Sequence, residues 1–169
     1  MVRLLWSRVQ LFNTRENYML KDIIIRQAIV SDVPTLVEYN QGLARETENI
    51  ALNETILRQG VEKALDRNDC QYFVAELDDK VIGQTMVTTE WSDWRNGEMW
   101  WMQSVYVHQD YRKRGVFPTI FWHIQKLAES KPDVKALRLY VMHDNKAGRS
   151  SYQNLGMDDS GYLVYELST

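Results

Sequence analysis

Three consecutive cations, Arg112, Lys113 and Arg114, stand directly before Gly115. Ahead of them, residues 99–107 form a nearly continuous apolar run. Behind them Phe117, Ile120, Phe121, Ile124, Leu127 and Ala128 recur at helical spacing. The pattern reads as a buried strand, a short cationic loop and an amphipathic helix. A helix start carries N–H groups without intrahelical acceptors and a partial positive charge, so it attracts anions. Glycine there lets a phosphate approach the backbone with no Cβ in the way, and the three cations add formal charge suited to a polyanion. Pro118 has no N–H, but in the first turn of a helix that costs no hydrogen bond. A solvated basic loop before an ordinary helix is the alternative reading of the segment. The spaced glycines and Lys-Ser/Thr of a nucleoside-triphosphate loop are missing, and so are the three glycines of a dinucleotide fingerprint.

The elements that must position this loop are legible on both sides of it. Residues 23–28 are a short β-branched run, read as a strand. Ser31 and Asp32 can cap a following helix with Pro34 in its first turn and Val33, Leu36, Val37 and Leu43 on one face. Asn53 can cap a second helix with the stripe Ile56, Leu57, Gly60, Val61, Ala64 and Leu65. Residues 72–77 and 81–89 form a hairpin turning at 78–80, and residues 91–97 form a loop. Leu137, Leu139 and Val141 alternate with Arg138 and Tyr140, which indicates a strand. Asn145 can cap a last helix that stops before Gly156, and residues 162–167 read as a final strand. The expected order is β-α-α-β-β-β-α-β-α-β, an α/β (α+β) fold with a mixed central sheet and helices on both faces.

The chain has 169 residues, enough for one domain with a substantial core. Residues 1–20 differ from the rest: Arg3, Arg8 and Arg15 face only Glu16, and organised pattern begins after Met19. The reading is an N-terminal extension, possible non-native start included, followed by one domain over 21–169. The net charge of −3 does not suit a protein built to coat nucleic acid. No run approaches the ~20 apolar residues of a membrane span. The single cysteine, Cys70, excludes an internal disulfide and fits a reducing, cytoplasmic setting; it reads as a core thiol. His108, His123 and His143 lack metal-ligand spacing, so no metal is expected.

Arg112-x-x-Gly115-x-Phe117 following Val105-Tyr106-Val107 resembles motif A of the GCN5-related N-acetyltransferase (GNAT) family. Leu137-Arg138-Leu139-Tyr140-Val141 through Asn145, Ala147, Tyr152 and Leu155-Gly156-Met157 resembles motif B. Phe117 departs from the family pattern, which usually has a small residue there. The resemblance implies a GNAT-like fold in which two parallel strands splay apart, with acetyl-CoA as cofactor. It further implies that Val105, Tyr106 and Val107 pair with the pantetheine arm. Arg112, Lys113, Arg114, Gly115, Val116 and Phe117 would hold the pyrophosphate, with Asn145 contacting the cofactor or only capping its helix. A bulge near residues 103–105 would aim one N–H at the thioester carbonyl. Tyr152 would be the general acid, with a satisfied core tyrosine as the alternative.

The family's usual basic glutamate falls at Trp101, which takes no proton, so Glu90 and Glu98, nearby in sequence, and Glu46 and Glu48, after the first helix, are the candidates for that work, acting through a water. The resemblance implies direct attack by a primary amine, on a small molecule or a peptide, in a ternary complex. A carboxylate-rich, aromatic pocket would attract such a cation. Glu46, Glu48, Trp91, Asp93 and Trp94 supply that chemistry, and four of the six tryptophans fall within residues 91–101. The competing reading is a CoA-binding regulatory module without catalysis. A homodimer is a permitted further partner.

Overall fold

The computed structural model describes residues 22–167. The expectation for residues 1–20 lies outside that range. Five strands form one sheet in the order β1-β2-β3-β4-β5: β1 is Ile24–Gln27, β2 Cys70–Leu77, β3 Lys80–Ser92, β4 Gly97–Val107 and β5 Val134–Leu139. Every neighbouring pair is antiparallel except β4 and β5, which run parallel. The helices are α1 (Val33–Glu48), α2 (Glu54–Leu65), α3 (Val116–Glu129) and α4 (Lys146–Asn154).

Alternation along the strands separates two cores. Phe73, Ala75, Val87, Trp100 and Met102 point to one face, where α3 covers them with Val116, Ile120, Phe121 and Ile124. Tyr72 and Val74 point to the other, under Val33, Leu36 and Val37 of α1 and Val61 and Ala64 of α2. The β2–β3 hairpin turns through Asp78 and Asp79, both left-handed (φ 50° and 59°), the backbone that a two-residue turn needs to match strand twist. Asn53 caps α2 by accepting from the Ile56 amide at 3.0 Å.

Two local expectations change. Asp32 sits at the N-cap position of α1, but its carboxylate turns away from the helix. It accepts instead from the Ile29 amide at 2.8 Å and from both Arg26 Nη atoms at 2.7 and 3.0 Å. Arg26 Nε in turn donates to Glu76 at 2.8 Å, so a half-buried cation on an edge strand outcompetes the cap. The final strand over 162–167 does not form either: this stretch has no regular structure, and Tyr162, Leu163, Val164, Tyr165 and Leu167 are all exposed. The chain leaves the sheet after β5, and the run finds no partner strand among the described residues.

Candidate active site

β4 and β5 pair only as far as Met102 and Leu139. Beyond that point β4 continues to Val107 along β3, while the chain after Leu139 leaves the sheet. Residues Gln103–Val107 therefore keep a neighbour on one edge only, and the backbone groups of the other edge line a V-shaped slot.

The slot contains a β-bulge. Gln84 faces Tyr106 and Met86 faces Gln103, so Thr85 stands opposite two residues, Ser104 and Val105. Ser104 is left-handed at φ 49°, an unusual state for a residue with a Cβ. Two fully buried side chains hold it there. Thr85 Oγ1 donates to the Gln103 carbonyl at 3.1 Å, and Gln84 Nε2 donates to the Ser104 carbonyl at 3.2 Å. The other amide atom, Gln84 Oε1, has no hydrogen-bond partner among the described residues. Neither residue was singled out from sequence, and their only signal was a polar pair inside an otherwise apolar strand.

The cationic turn forms where β4 ends. Lys113 (φ 60°) and Gly115 (φ 81°) are both left-handed and curl the backbone ahead of α3. The first return bond runs from the Thr119 amide to the Gly115 carbonyl at 3.0 Å, so the amides before it start the helix without intrahelical acceptors. Gly115 and Val116 are buried, while Lys113 and Arg114 are exposed, Arg114 lying over the Tyr111 ring. Arg112 is used differently. Its Nε donates to the Val107 carbonyl at 2.9 Å and its Nη2 pairs with both Glu46 oxygens at 2.9 and 2.8 Å. Tyr106 Oη donates to the same carboxylate at 3.1 Å. The Arg112 hydrogen bond is the main cause holding the Glu46 carboxyl below its ordinary range. Arg112, Tyr106 and Glu46 thus brace the turn against α1. The backbone approach is close enough that a Cβ on Gly42 would meet the Tyr106 hydroxyl at 2.9 Å.

α4 begins at its expected cap: Asn145 Oδ1 accepts from the Gly148 amide at 2.8 Å. Tyr152 on α4 lies edge-on to Phe117 of α3, ring centroids 5.5 Å apart, and Phe117 also meets Phe121. The bulky departure from the family motif therefore fills the α3–α4 gap and props the tyrosine. Burial raises the Tyr152 hydroxyl above its ordinary value, and that hydroxyl makes no hydrogen bond to another described residue.

Across the sheet face shared with α1 and α2, Glu90 on β3 reaches Trp101 on β4: the indole N–H donates to Glu90 Oε2 at 2.6 Å. Arg138 of β5 approaches Glu90 at 3.6 Å and lies over the Trp101 ring at 5.3 Å, and Tyr140 stacks on that ring at 4.4 Å and 17°. This cluster adjoins the point where β4 and β5 part. Glu98 is not brought to it. Its carboxylate accepts from Trp100 Nε1 at 3.0 Å on the α3 face, opposite the start of β5.

The five residues read as acceptor-binding do not converge. Glu46 and Glu48 end α1 near the cationic turn, whereas Trp91, Asp93 and Trp94 lie at the far tip of the β3–β4 hairpin. Trp91 pairs with Glu98, and eight positions along β4 from there to Tyr106 span roughly 26 Å at about 3.3 Å per residue. Trp91 and Trp94 are exposed. Among the described residues, no group of three or more His, Cys, Asp or Glu is arranged for a metal, and no helix is long and apolar enough to cross a membrane.

A sheet whose two parallel strands splay around a bulge, closed by a glycine turn at a helix start, defines an acyl-CoA transferase scaffold. Residues 35–157 match the profile of the Acetyltransferase (GNAT) family, and the chain belongs to that family. Its cofactor is acetyl-CoA, and the chain is an N-acetyltransferase by fold and family. A possible acetyltransferase from Clostridium difficile 630 is 37% identical, with 88% of this chain and 99% of that one covered at a TM-score of 0.82. A predicted acetyltransferase from Clostridium acetobutylicum, crystallised with acetyl-CoA, is 19% identical over 86% of this chain and 96% of its own at 0.71. A ribosomal-protein-alanine N-acetyltransferase from Brucella melitensis biovar Abortus 2308 is 15% identical over 87% and 99% at 0.71. No curated protein matches the chain.

Proposed function

We propose that this enzyme transfers an acetyl group from acetyl-CoA to a primary amine by direct attack, with Tyr152 as general acid and Glu90 at the amine. Acetyl-CoA supplies the activated acyl group as a thioester. The free edge of Gln103–Val107 offers backbone donors and acceptors to an amide-bearing arm, as an added strand would. The amides at the start of α3, with Lys113 and Arg114, meet the diphosphate. Arg112 acts by holding the turn against Glu46. The bulge amide, fixed by Gln84 and Thr85, donates where negative charge develops on the carbonyl oxygen, a contribution of ~3 kcal/mol in comparable sites. Tyr152 holds a proton at its hydroxyl for the departing thiolate.

Glu90 answers the loss of a carboxylate at position 101. Its side chain crosses from the neighbouring strand to Trp101, and the stacked Trp101–Tyr140 pair beside it presents an aromatic surface to a cationic amine. Glu90 attracts the ammonium and takes its proton, directly or through water. The acceptor class is a small-molecule or peptide primary amine.

The observation that carries this reading is the bulged, one-sided edge of β4, together with the glycine turn at the start of α3 and a half-buried tyrosine hydroxyl that has no hydrogen-bond partner among the described residues. Free thiol release from acetyl-CoA, corrected for hydrolysis, should rise with primary amines in a panel that also includes alcohols. Turnover with hydroxyl acceptors alone would overturn it.

A further inference from the structure

Arg138 has no part in the acyl transfer described above. Its guanidinium is a fork of N–H donors, yet it makes no hydrogen bond to another described residue. Its side chain is only 28% exposed. The nearest carboxylate oxygen, Glu90 Oε1, stands 3.6 Å from Nη1, beyond hydrogen-bond reach. The other contact is with the Trp101 ring, 5.3 Å from the guanidinium carbon to the ring centroid. Two arginines of similar exposure are employed quite differently. Arg26 donates to Asp32 and Glu76, and Arg112 donates to the Val107 carbonyl and Glu46. A guanidinium partly withdrawn from water with its donors unmet is poised for an acceptor that arrives from outside. Its planar fork matches a carboxylate, which can take two parallel hydrogen bonds.

The place of Arg138 makes that acceptor part of the substrate. Arg138 pairs with Trp101 in the ladder, and Leu139 pairs with Met102 at the last rung before β4 and β5 part. The Trp101 indole donates to Glu90, and Tyr140 stacks on the same ring. One step nearer the bulge, Gln103 Nε2 donates to Thr88 Oγ1 at 2.6 Å. The floor in front of the slot therefore holds one carboxylate, one guanidinium and a flat aromatic surface. A substrate that carries only positive charges would set a like charge beside Arg138. A molecule with an amine and a carboxylate on one carbon meets each side chain with its opposite, the ammonium at Glu90 and the carboxylate at Arg138.

We propose that the acceptor is a free amino acid, with amine and carboxylate on one carbon, and that Arg138 binds its carboxylate. This inference rests on the amine-transfer reading of the site and names its substrate class. The carboxylate held at Arg138 turns the amine toward the slot, and the Trp101–Tyr140 face receives the apolar body of the molecule. Glu90 takes a proton from the ammonium. The nitrogen then bonds to the thioester carbonyl carbon, the carbon–sulfur bond breaks, and the thiolate takes the Tyr152 proton.

The test is thiol release from acetyl-CoA with matched acceptors that differ only by the carboxylate: phenylalanine against phenethylamine, and valine against isobutylamine. In the parent enzyme kcat/KM should favour both amino acids. Arg138→Met should cut that preference by about tenfold, through the KM for the amino acid, with the KM for acetyl-CoA held. Arg138→Lys, which keeps the charge and loses the fork, should restore part of it. Comparing parent and variant on the same pair cancels the difference in amine basicity. Phenylalanine amide, which has no negative charge, should behave as phenethylamine does, and it decides the matter on the parent enzyme if a variant fails to fold. A parent that turns over the amines without favouring the amino acids overturns the proposal. So does a preference that survives Arg138→Met, or an amide as good as phenylalanine. The amine-transfer reading survives each of these three results, whereas turnover with alcohols alone overturns both.

Discussion

Tyr152 is half-buried, and desolvation raises its hydroxyl above the ordinary tyrosine range, so it keeps its proton throughout neutral pH. Tyr152→Phe keeps the ring against Phe117 and removes only that proton. Turnover should fall on the order of 100-fold with the KM for acetyl-CoA nearly unchanged, measured as steady-state thiol release. Glu90→Gln is expected to act on the other substrate. The amine KM should rise while the KM for acetyl-CoA holds, because the carboxylate that gathers the cation is gone; an unchanged amine KM would remove Glu90 from the site. Tyr152 was visible in the sequence because a motif surrounds it. The join of Glu90 to Trp101 was not, because it depends on the register of β3 against β4, which brings together residues eleven apart. Gln84 was hidden for a related reason. Its work is to satisfy a bulge carbonyl on the adjacent strand, and nothing in its own segment announces a bulge elsewhere.

The elements were read more fully than their joints. The four helices and the β2–β3 hairpin follow from periodicity and turn residues that act within one segment. The Asp32 cap and the strand over 162–167 went differently because each depended on a competitor outside its segment: a guanidinium on β1 in one case, the absence of an adjacent edge in the other. β5 also stops earlier than its alternation suggested, at Leu139, because the slot parts it from β4. The Arg26 network that replaces the Asp32 cap makes a prediction at this scale. Burial alone would raise the Asp32 carboxyl, but hydrogen bonds from Arg26 and the Ile29 amide, with the charge of Arg26, bring it below its ordinary value. A carboxylate lowered in the folded state stabilises above its unfolded pKa, near ~3.9, and loses that contribution as pH falls through the folded value. Asp32→Asn should therefore cost about 2 kcal/mol at neutral pH, since it leaves Arg26 without its principal partner. The difference from the parent should shrink in urea titrations toward pH 3. A constant difference across that range would mean the loss is one of packing. At the hairpin's far end, Gly97→Ala would drive a Cβ into the Asp133 carbonyl and the Lys135 side chain, so it should lower stability by about 1–3 kcal/mol through displacement of the β5 start.

The molecule as a whole is a sheet clamped by α1 and α2 on one face and α3 on the other, yet split along the line between β4 and β5. Along the split one edge of Gln103–Val107 has no partner strand among the described residues, and the chain beyond Leu139 makes no ladder. A cofactor bound along that line would supply the missing strand-like bonds to β4 and engage the start of α3, joining parts of the fold that the chain alone leaves apart. Linkage then requires that binding to the folded state alone raise stability by about 2.7 kcal/mol at a hundred times the dissociation constant. For a domain of this size that corresponds to roughly 5–10 °C in Tm. The gain should be divisible by chemistry. Free CoA, which keeps the diphosphate and pantetheine, should reproduce most of it, and acetyl-pantetheine, which lacks the diphosphate, should reproduce little. Gly115→Ala, which puts a Cβ on a backbone at φ 81°, should abolish the shift from CoA. Scanning calorimetry with the two ligands, paired with deuterium exchange over residues 103–107, tests whether the slot and the turn act together: equal shifts from both ligands would place the binding energy in the slot alone and leave the cationic turn without its assigned task.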